Sequence, residues 1–382
     1  MPPYLRSQKA LTRSELLTHQ QALRAGPVNT TGLPALPTEL LVEIVSYLPT
    51  IPVPATYAQN AAVFPGTCLE RMRIMRALSQ MCRSLRAVFL PLSWERIEAC
   101  TIDRIDKMRR RPRAGLARSW ERILATELVR QLEIVTIRDP SLASYVKIVN
   151  VILTTFSCET VVPELVRCLA LFPNLHTVQF LGTSGPSRAL DAFKGHTYPT
   201  VRTLVLPAFL SAIVRSFPRV TRIHSVWGPS QYVASQLCVG YCTDIEEWYG
   251  FEKIDYRLDI LFDRKPVIDH LIEKLAKTRI MTLDTTNVSL SVDIINKLIK
   301  LPTLHQIELA IPFSKLEHIP PRVTMLIDAA KSVLRKPLSL NKQTMDRVLV
   351  LRFTDAVETV IARPLQPHTG SCATQLGALA SS

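Results

Sequence analysis

The sequence predicts an α/β fold in which an all-helical N-terminal module precedes an irregular solenoid of strand–helix units with a curved parallel sheet. Three observations lead to this prediction: helical apolar periodicity in the first hundred residues, a strand pattern that recurs from about residue 145, and helix-like segments between its copies. The chain has 382 residues, of which 47% are hydrophobic and 20% charged. We therefore expect a sizeable core and either two or three structural units or one elongated array.

The helical module is predicted over residues 33–99. Its first segment, LPTELLVEIVSYL at 36–48, repeats apolar residues at one-turn spacing and is bounded by Pro37 and Pro49. A second helical pattern starts at Leu69, and Pro91 is expected to break it. Each helix has one face that requires burial. Residues 1–32 are predicted to form an accessory helix and a turn-rich linker.

One strand pattern recurs in the second part of the chain: an apolar residue, two others, an apolar residue, one other and an apolar residue. Its first position falls at residues 146, 175, 201, 220, 245, 280 and 304, and a further match at 348–353 is expected to close the array. The spacings straddle the period of about 20–29 residues that is typical of leucine-rich repeats. We therefore expect a leucine-rich-repeat-like solenoid over residues 145–355.

Helices are predicted between these strands. The candidates are 163–172, 207–217, 267–278, 291–300 and 321–334. Three of them begin at Pro163, Pro207 and Pro321, in the first turn, where a helix tolerates proline. Alternating strands and helices predict parallel strand pairs. A doubly wound α/β domain shows the same alternation, but no glycine-rich nucleotide fingerprint follows any strand.

The net charge of +14 lies mainly in the first third of the chain, because residues 1–120 hold 17 Lys and Arg against 8 Asp and Glu. The strongest basic run is KMRRRPR at 107–113, within a predicted basic linker and connecting helix over 100–144. A linker or a nuclear-import signal is favoured over nucleic-acid binding, since no aromatic residues interleave with the arginines to stack on bases. Residues 356–382 are predicted to be a flexible tail.

Catalytic motifs are absent from the sequence. It contains no P-loop, no G-x-S-x-G elbow and no H-E-x-x-H, and its eight cysteines lack zinc-finger spacing. We therefore predict a chain that is not an enzyme, with no catalytic residues, no cofactor and no metal site. No long apolar run and no secretory signal is found, which favours an intracellular protein of the cytoplasm or nucleus that does not bind membranes.

The segment 36–48, together with LSQMCRSLRAVFLPLSW at 78–94, resembles the F-box, and its pairing with a leucine-rich-repeat-like array resembles fungal F-box proteins. The resemblance implies a module that docks on the Skp adaptor and so joins a cullin-RING ubiquitin ligase, while the repeats bind a substrate protein. The segment 50–75 is longer than the usual connection. The implied adaptor-binding residues are Leu36, Pro37, Leu40, Leu41, Ile44, Leu48, Leu78, Cys82, Leu85 and Trp94.

Strand alternation predicts which repeat residues face outward, because successive side chains point to opposite sides of a sheet. With residues such as Leu204 and Ile223 facing the core, their neighbours form a polar substrate surface centred on 222–249, where Trp248 and Tyr249 supply an aromatic anchor. The predicted substrate-binding residues are Arg222, His224, Glu247, Trp248, Tyr249, Asp284 and Glu308.

Two other functions remain open at the level of sequence. In one, the chain is a repeat scaffold for protein–protein interaction whose N-terminal helices cap the solenoid, since a terminal repeat needs a cover. In the other, it is a basic nucleic-acid binder that depends on the arginines at 109–111.

Overall fold

The computed structural model describes residues 32–53, 67–101, 117–183, 188–225, 242–249, 267–285, 290–311, 319–335, 347–353 and 357–362. Two compact units divide the chain, Met1–Val201 and Arg202–Ser382. This boundary lies inside the predicted solenoid. The predicted helix within 1–32 and the basic run at 107–113 lie outside the described residues.

The first unit combines the helical module with a parallel sheet. Its described helices are α1 (Thr38–Ser46), α2 (Thr67–Met81), α3 (Arg83–Trp94), α4 (Ala117–Glu133), α5 (Cys158–Leu169) and α6 (Arg188–Ala192). Its strands are β1 (Arg96–Ala99), β2 (Ile148–Leu153) and β3 (Thr177–Thr183). Short 3₁₀ helices cover Leu33–Ala35 and Pro140–Tyr145, and α4 continues into a π-helical turn at Ile134–Arg138.

The three strands of the first unit pair in chain order, β1 with β2 and β2 with β3, and both pairs are parallel. One side chain from each strand contributes to a fully buried apolar row: Ile97, Val149 and Val178. Helices α4 and α5 pack against each other, and α4 also contacts β1 and β2. The predicted α/β class with parallel strands is confirmed in this unit.

The helical module differs from the sequence prediction in where its second helix ends. The predicted continuous helix is broken at Cys82, whose backbone is extended, and Pro91 lies inside α3. This break allows Met75 of α2 and Phe89 of α3 to join one apolar cluster. In a single straight helix, 14 residues would separate them by about 21 Å along the axis. The prediction that Pro91 breaks the helix was therefore wrong.

The second unit contains the described strands β4 (Thr203–Leu206), β5 (Arg222–Ser225), β6 (Glu247–Tyr249), β7 (Ile280–Asp284), β8 (Gln306–Ala310), β9 (Arg347–Arg352) and β10 (Val357–Ala362). Its helices are the 3₁₀ helix Ala208–Ser216, α7 (Val267–Lys274), α8 (Val292–Lys297), which the 3₁₀ turn Leu298–Lys300 extends, and α9 (Pro321–Arg335).

The strands of the second unit also pair in chain order. The pairs from β4 to β9 are parallel, and β10 pairs antiparallel with β9. One side chain from each parallel strand forms a continuous buried row: Leu204, Ile223, Trp248, Met281, Ile307 and Leu349. The alternation of strands and helices with parallel return is confirmed in this unit too.

Three further local predictions differ from the structure. Strand β1 forms where the helical module was predicted to continue, and β10 forms where a flexible tail was predicted. Pro163 lies in the interior of α5 rather than in its first turn, because that helix begins earlier, at Cys158. In contrast, α9 begins at Pro321, as the sequence predicts.

Candidate functional site

Helix α1 is attached to the rest of the module through two side chains. Leu41 and Val45 are each only 3% exposed, and they join Met75, Leu85 and Phe89 in one apolar cluster. These two positions are four residues apart, so they lie on the same face of the helix. A polar contact reinforces this attachment, because Arg71 Nη1 donates to the Val45 carbonyl at 2.6 Å.

The neighbouring face of α1 is apolar and exposed. Leu40 and Ile44 are each 50% exposed and Leu36, just before the helix, is 36% exposed. Leu40 and Ile44 are four residues apart and so lie on one side of the helix, whereas Leu36 precedes it in extended backbone; we call these three residues the apolar face. Val42 and Tyr47 are exposed as well, with Tyr47 Oη donating to Glu43 Oε1 at 2.9 Å. Sequence matching had not selected either of them.

The predicted adaptor-binding residues divide into exposed and internal positions. Pro37 is exposed, and Leu48, Leu78 and Cys82 are half-buried. Three others are buried, so a partner cannot contact them directly: Leu41, Leu85 and Trp94. The Arg76 guanidinium lies over the Trp94 ring, 4.9 Å from the ring centre. Of these three, Leu41 and Leu85 pack in the apolar cluster that holds α1.

The chain just after α1 is fixed to the sheet. We call Ile51 and Pro52 the strap. The Ile51 side chain is fully buried, and its carbonyl accepts a hydrogen bond of 2.7 Å from Arg96 Nη1. The Pro52 carbonyl accepts a hydrogen bond of 3.0 Å from Gln179 Nε2 on β3. Both carbonyls of the strap thus bond to sheet residues.

A row of buried polar side chains crosses the three strands, and we call it the polar ladder: Glu98, Asn150 and Gln179. Asn150 Nδ2 donates to Glu98 Oε1 at 3.3 Å, and Gln179 Nε2 donates to Asn150 Oδ1 at 2.8 Å. These residues pair in register on adjacent strands, so their side chains lie on the same face of the sheet. Burial raises the pKa of Glu98, although Arg96 and Asn150 partly oppose this effect.

The free edge of β1 is covered by a side chain of α4. Gln131 Oε1 accepts from the Glu98 backbone N–H at 3.0 Å, and Gln131 Nε2 donates to the Glu98 carbonyl at 2.9 Å. The amide group therefore forms both hydrogen bonds that a neighbouring strand would form at this residue. Such pairing protects an edge strand from adding a foreign strand.

Three of the predicted substrate-binding residues form a partly exposed group on β5 and β6. Arg222 Nε donates to Glu247 Oε1 at 3.1 Å, and Tyr249 Oη donates to Glu247 Oε2 at 3.3 Å. The Arg222 side chain is exposed, while those of Glu247 and Tyr249 are half-buried. A fourth residue, His224, stacks on Tyr249 with ring centres 4.2 Å apart. It is buried, and this burial lowers its pKa to about 3.

Two other predicted substrate-binding residues, Trp248 and Glu308, are buried. Trp248 is fully buried and lies in the continuous buried row that crosses the parallel strands of the second unit. Its predicted role as a surface anchor is therefore wrong. Glu308 is buried and accepts hydrogen bonds from Arg352, Thr282 and Gln306 at 2.8, 3.1 and 2.7 Å. It therefore orders neighbouring side chains. The side chain of Asp284 lies outside the described part of the structure.

The described residues offer no metal centre, because no group of three or more His, Cys, Asp or Glu side chains is arranged to hold an ion. Within the same part of the chain, no helix combines the length and apolar content needed to cross a membrane.

The features that the described residues show are thus an exposed apolar face and a buried polar ladder in the first unit and an Arg222–Glu247–Tyr249 group in the second. Neither the models of known protein families nor the curated protein sequences give a match to this chain.

Proposed function

We propose that the chain is a substrate-recognition subunit of a Skp-cullin-F-box ubiquitin ligase, in which the N-terminal module docks on the Skp adaptor and the repeats bind the substrate protein. The proposal assigns no chemical step to the chain itself. The observation that carries it is the apolar face of α1, at the positions that resemble the F-box motif.

The apolar face favours docking because removing apolar side chains from water lowers the free energy. Leu40 and Ile44 are half-exposed on a helix whose other face already packs in the module. Taking a leucine or isoleucine side chain from full exposure to full burial contributes about 1.5–3 kcal/mol, so covering the exposed half of each residue contributes roughly half of that. A partner that covers both residues therefore has a substantial apolar driving force. Charged helix neighbours, Glu39 and Glu43, are exposed and can form a polar rim.

The second unit supports the substrate-binding half of the proposal. Its parallel strands follow the recurring sequence pattern and present Arg222, Glu247 and Tyr249 as a polar and aromatic group. Arginine and tyrosine are both enriched among residues that dominate protein–protein binding energies. We therefore place the first substrate contacts at these three residues.

Co-purification of the full-length chain with the Skp adaptor tests the docking half. We expect the wild-type chain to retain the adaptor and the variant Leu36→Ala with Pro37→Ala to lose it, with the unfolding temperature unchanged. Phe209→Ala is a matched control, since Phe209 is another exposed apolar residue but lies in the second unit. Retention by the double variant at the level of the control would refute the assigned docking surface.

A second candidate function is a repeat scaffold in which the helical module only caps the array. The strap favours it, because it joins the module directly to β3. However, a terminal cap has a polar outer surface that keeps it soluble, whereas this module exposes Leu40 and Ile44. Replacing both with serine distinguishes the two functions. A cap would become more soluble and lose no partner, while an adaptor would lose Skp binding.

A further inference from the structure

We propose that Gln179 is a positioning residue for the docking surface, which it holds in place from β3 through the strap. The residue lies 127 positions along the chain from its contact at Pro52. The inference rests on the proposed function only where adaptor binding is measured, because the effect on α1 itself is measurable without any partner.

Helix α1 needs such support because it has few attachments of its own. It spans nine residues, of which only Leu41 and Val45 are buried. An isolated helix of this length is unstable in water, and isolated helices shorter than about 12–15 residues are marginal even in favourable sequences. Tertiary contacts therefore determine whether α1 forms and where it lies. The strap supplies the next attachment after Val45 in chain order.

The strap is held at two consecutive residues. Arg96 binds the Ile51 carbonyl and Gln179 binds the Pro52 carbonyl, while the Ile51 side chain is fully buried. Only four residues, 47–50, separate the end of α1 from the strap. A chain this short transmits a shift of the strap directly to the end of the helix, so loss of the Gln179 contact loosens α1.

Gln179 is suited to this role because its own side chain is fixed. It is fully buried, and the polar ladder orients its amide through Asn150. Asn150 is in turn bonded to Glu98. Buried polar networks in which each member has a partner are rigid, since a displaced group would remain without a hydrogen bond and without water. The amide is therefore held in the orientation in which it bonds to the Pro52 carbonyl.

The test compares two full-length variants that each remove a hydrogen bond to a backbone carbonyl while preserving shape. Gln179→Met removes the donor to the Pro52 carbonyl and, with it, the donor to Asn150 Oδ1 in the polar ladder. Tyr198→Phe removes a donor of 2.9 Å to the Val166 carbonyl in the same unit, away from the strap. Hydrogen exchange of the α1 amides is measured in both, with exchange in α9 as the internal reference, because Val166 belongs to α5 and the control variant therefore affects that helix. Skp adaptor affinity is then measured by titration.

We expect Gln179→Met to accelerate exchange at Leu41 and Val45 about fivefold relative to α9 and to weaken adaptor binding by a similar factor, as the loss of the hydrogen bond that Gln179 donates to the strap requires. Tyr198→Phe should change neither ratio by more than about twofold. Ile51→Ala provides a second route, because it loosens the strap without altering the polar ladder, and it should reproduce the Gln179→Met pattern.

Equal relative exchange of α1 in Gln179→Met, Ile51→Ala and Tyr198→Phe would overturn the inference. Failure of the proposed function gives a different result. In that case the wild-type chain does not bind the Skp adaptor, while selective loosening of α1 in the first two variants still supports the positioning role of Gln179.

Discussion

Adjacent residues in α1 have opposite roles, and their exposure determines which. Leu40 is 50% exposed, whereas Leu41 is 3% exposed and packs in the apolar cluster that α1 forms with α2 and α3. The sequence pattern gave both residues the same expected role, because it contains leucine at both positions. Helix periodicity restricts the choice to neighbouring faces, but the packing of α2 and α3 decides which face is buried.

Alanine substitution at these two positions should separate stability from binding. We expect Leu41→Ala to lower the free energy of unfolding by about 2–4 kcal/mol through the cavity it leaves, and Leu40→Ala to lower it by less than about 0.5 kcal/mol. Urea unfolding of the full-length variants measures both values. Equal destabilisation by the two substitutions would contradict the orientation of α1.

His224 should make folding stability sensitive to acid. Burial lowers its pKa from 6.5 to about 3, so between these values the unfolded chain binds a proton that the folded chain does not. Stability therefore falls as the pH drops through this window, by about 2 kcal/mol at pH 5. His224→Phe preserves the stack on Tyr249 and should remove this part of the loss between pH 7.5 and 5. An unchanged pH dependence in chemical unfolding would show that His224 is not buried as described.

At the scale of elements, the positions of prolines predicted where helices begin or end, but not in every case correctly. Pro321 starts α9 as expected, whereas Pro91 and Pro163 lie inside helices. Propensity disfavours proline within a helix by about 3 kcal/mol, but tertiary packing can exceed that penalty. The apolar residues of α5, such as Val161 and Val162, are buried before Pro163, and their burial extends the helix in front of it.

Pro163→Ala should therefore stabilise α5. Pro163 is exposed, so the substitution leaves no cavity, and it restores the backbone N–H that can bond to the Glu159 carbonyl. We expect the free energy of unfolding to rise by about 1–3 kcal/mol. Thermal unfolding followed by circular dichroism measures the change, and a lower unfolding temperature would contradict the helical interior position of Pro163.

The polar ladder is an element that sequence patterns did not reveal. Its residues each lie between two apolar strand residues, as in Val149-Asn150-Val151 and Val178-Gln179-Phe180. By strand alternation Gln179 was expected to face outward, and Glu98 was expected within the helical module. The segment 51–53 was outside every predicted element, so nothing in the pattern indicated that a chain segment would contact this face of the sheet.

Glu98→Gln tests the electrostatics of this ladder. Because burial raises the pKa of Glu98, ionising it destabilises the folded state, and stability decreases as the pH rises from 4.5 through the folded-state value. We expect Glu98→Gln to unfold at a higher temperature than the wild-type chain at pH 8 and to lose this advantage near pH 4.5. A variant that is less stable at both pH values would show that the ion pair with Arg96 outweighs burial.

At the scale of the molecule, the helical module is part of a larger unit rather than a separate one. The sheet begins at Arg96, directly after α3, and the strap bonds to β3. The sequence indicated helices and parallel strands in the correct order because their periodicities are local. The sequence did not indicate that the helical module packs on the sheet, since these contacts join residues that are distant in the chain.

Residues 33–99 should consequently not fold as an isolated fragment. Without β2 and β3, the fragment lacks the strand that pairs with β1 and the donor that bonds to Pro52. We expect its circular dichroism spectrum to lack the helical signal and its thermal transition to be absent. A cooperative transition in the fragment would contradict the dependence of the module on the sheet.

Docking through the apolar face is tested most directly by titrating the full-length chain with purified Skp adaptor. Ile44→Lys places a charge in the apolar face, and Met325→Lys places the same charge on α9, at a residue that is 61% exposed. We predict that the wild-type chain and Met325→Lys bind with equal affinity and that Ile44→Lys binds at least about a hundredfold more weakly, as expected for a charge in an interface core. Equal affinity of all three chains, or no binding by the wild-type chain, would contradict the proposed function.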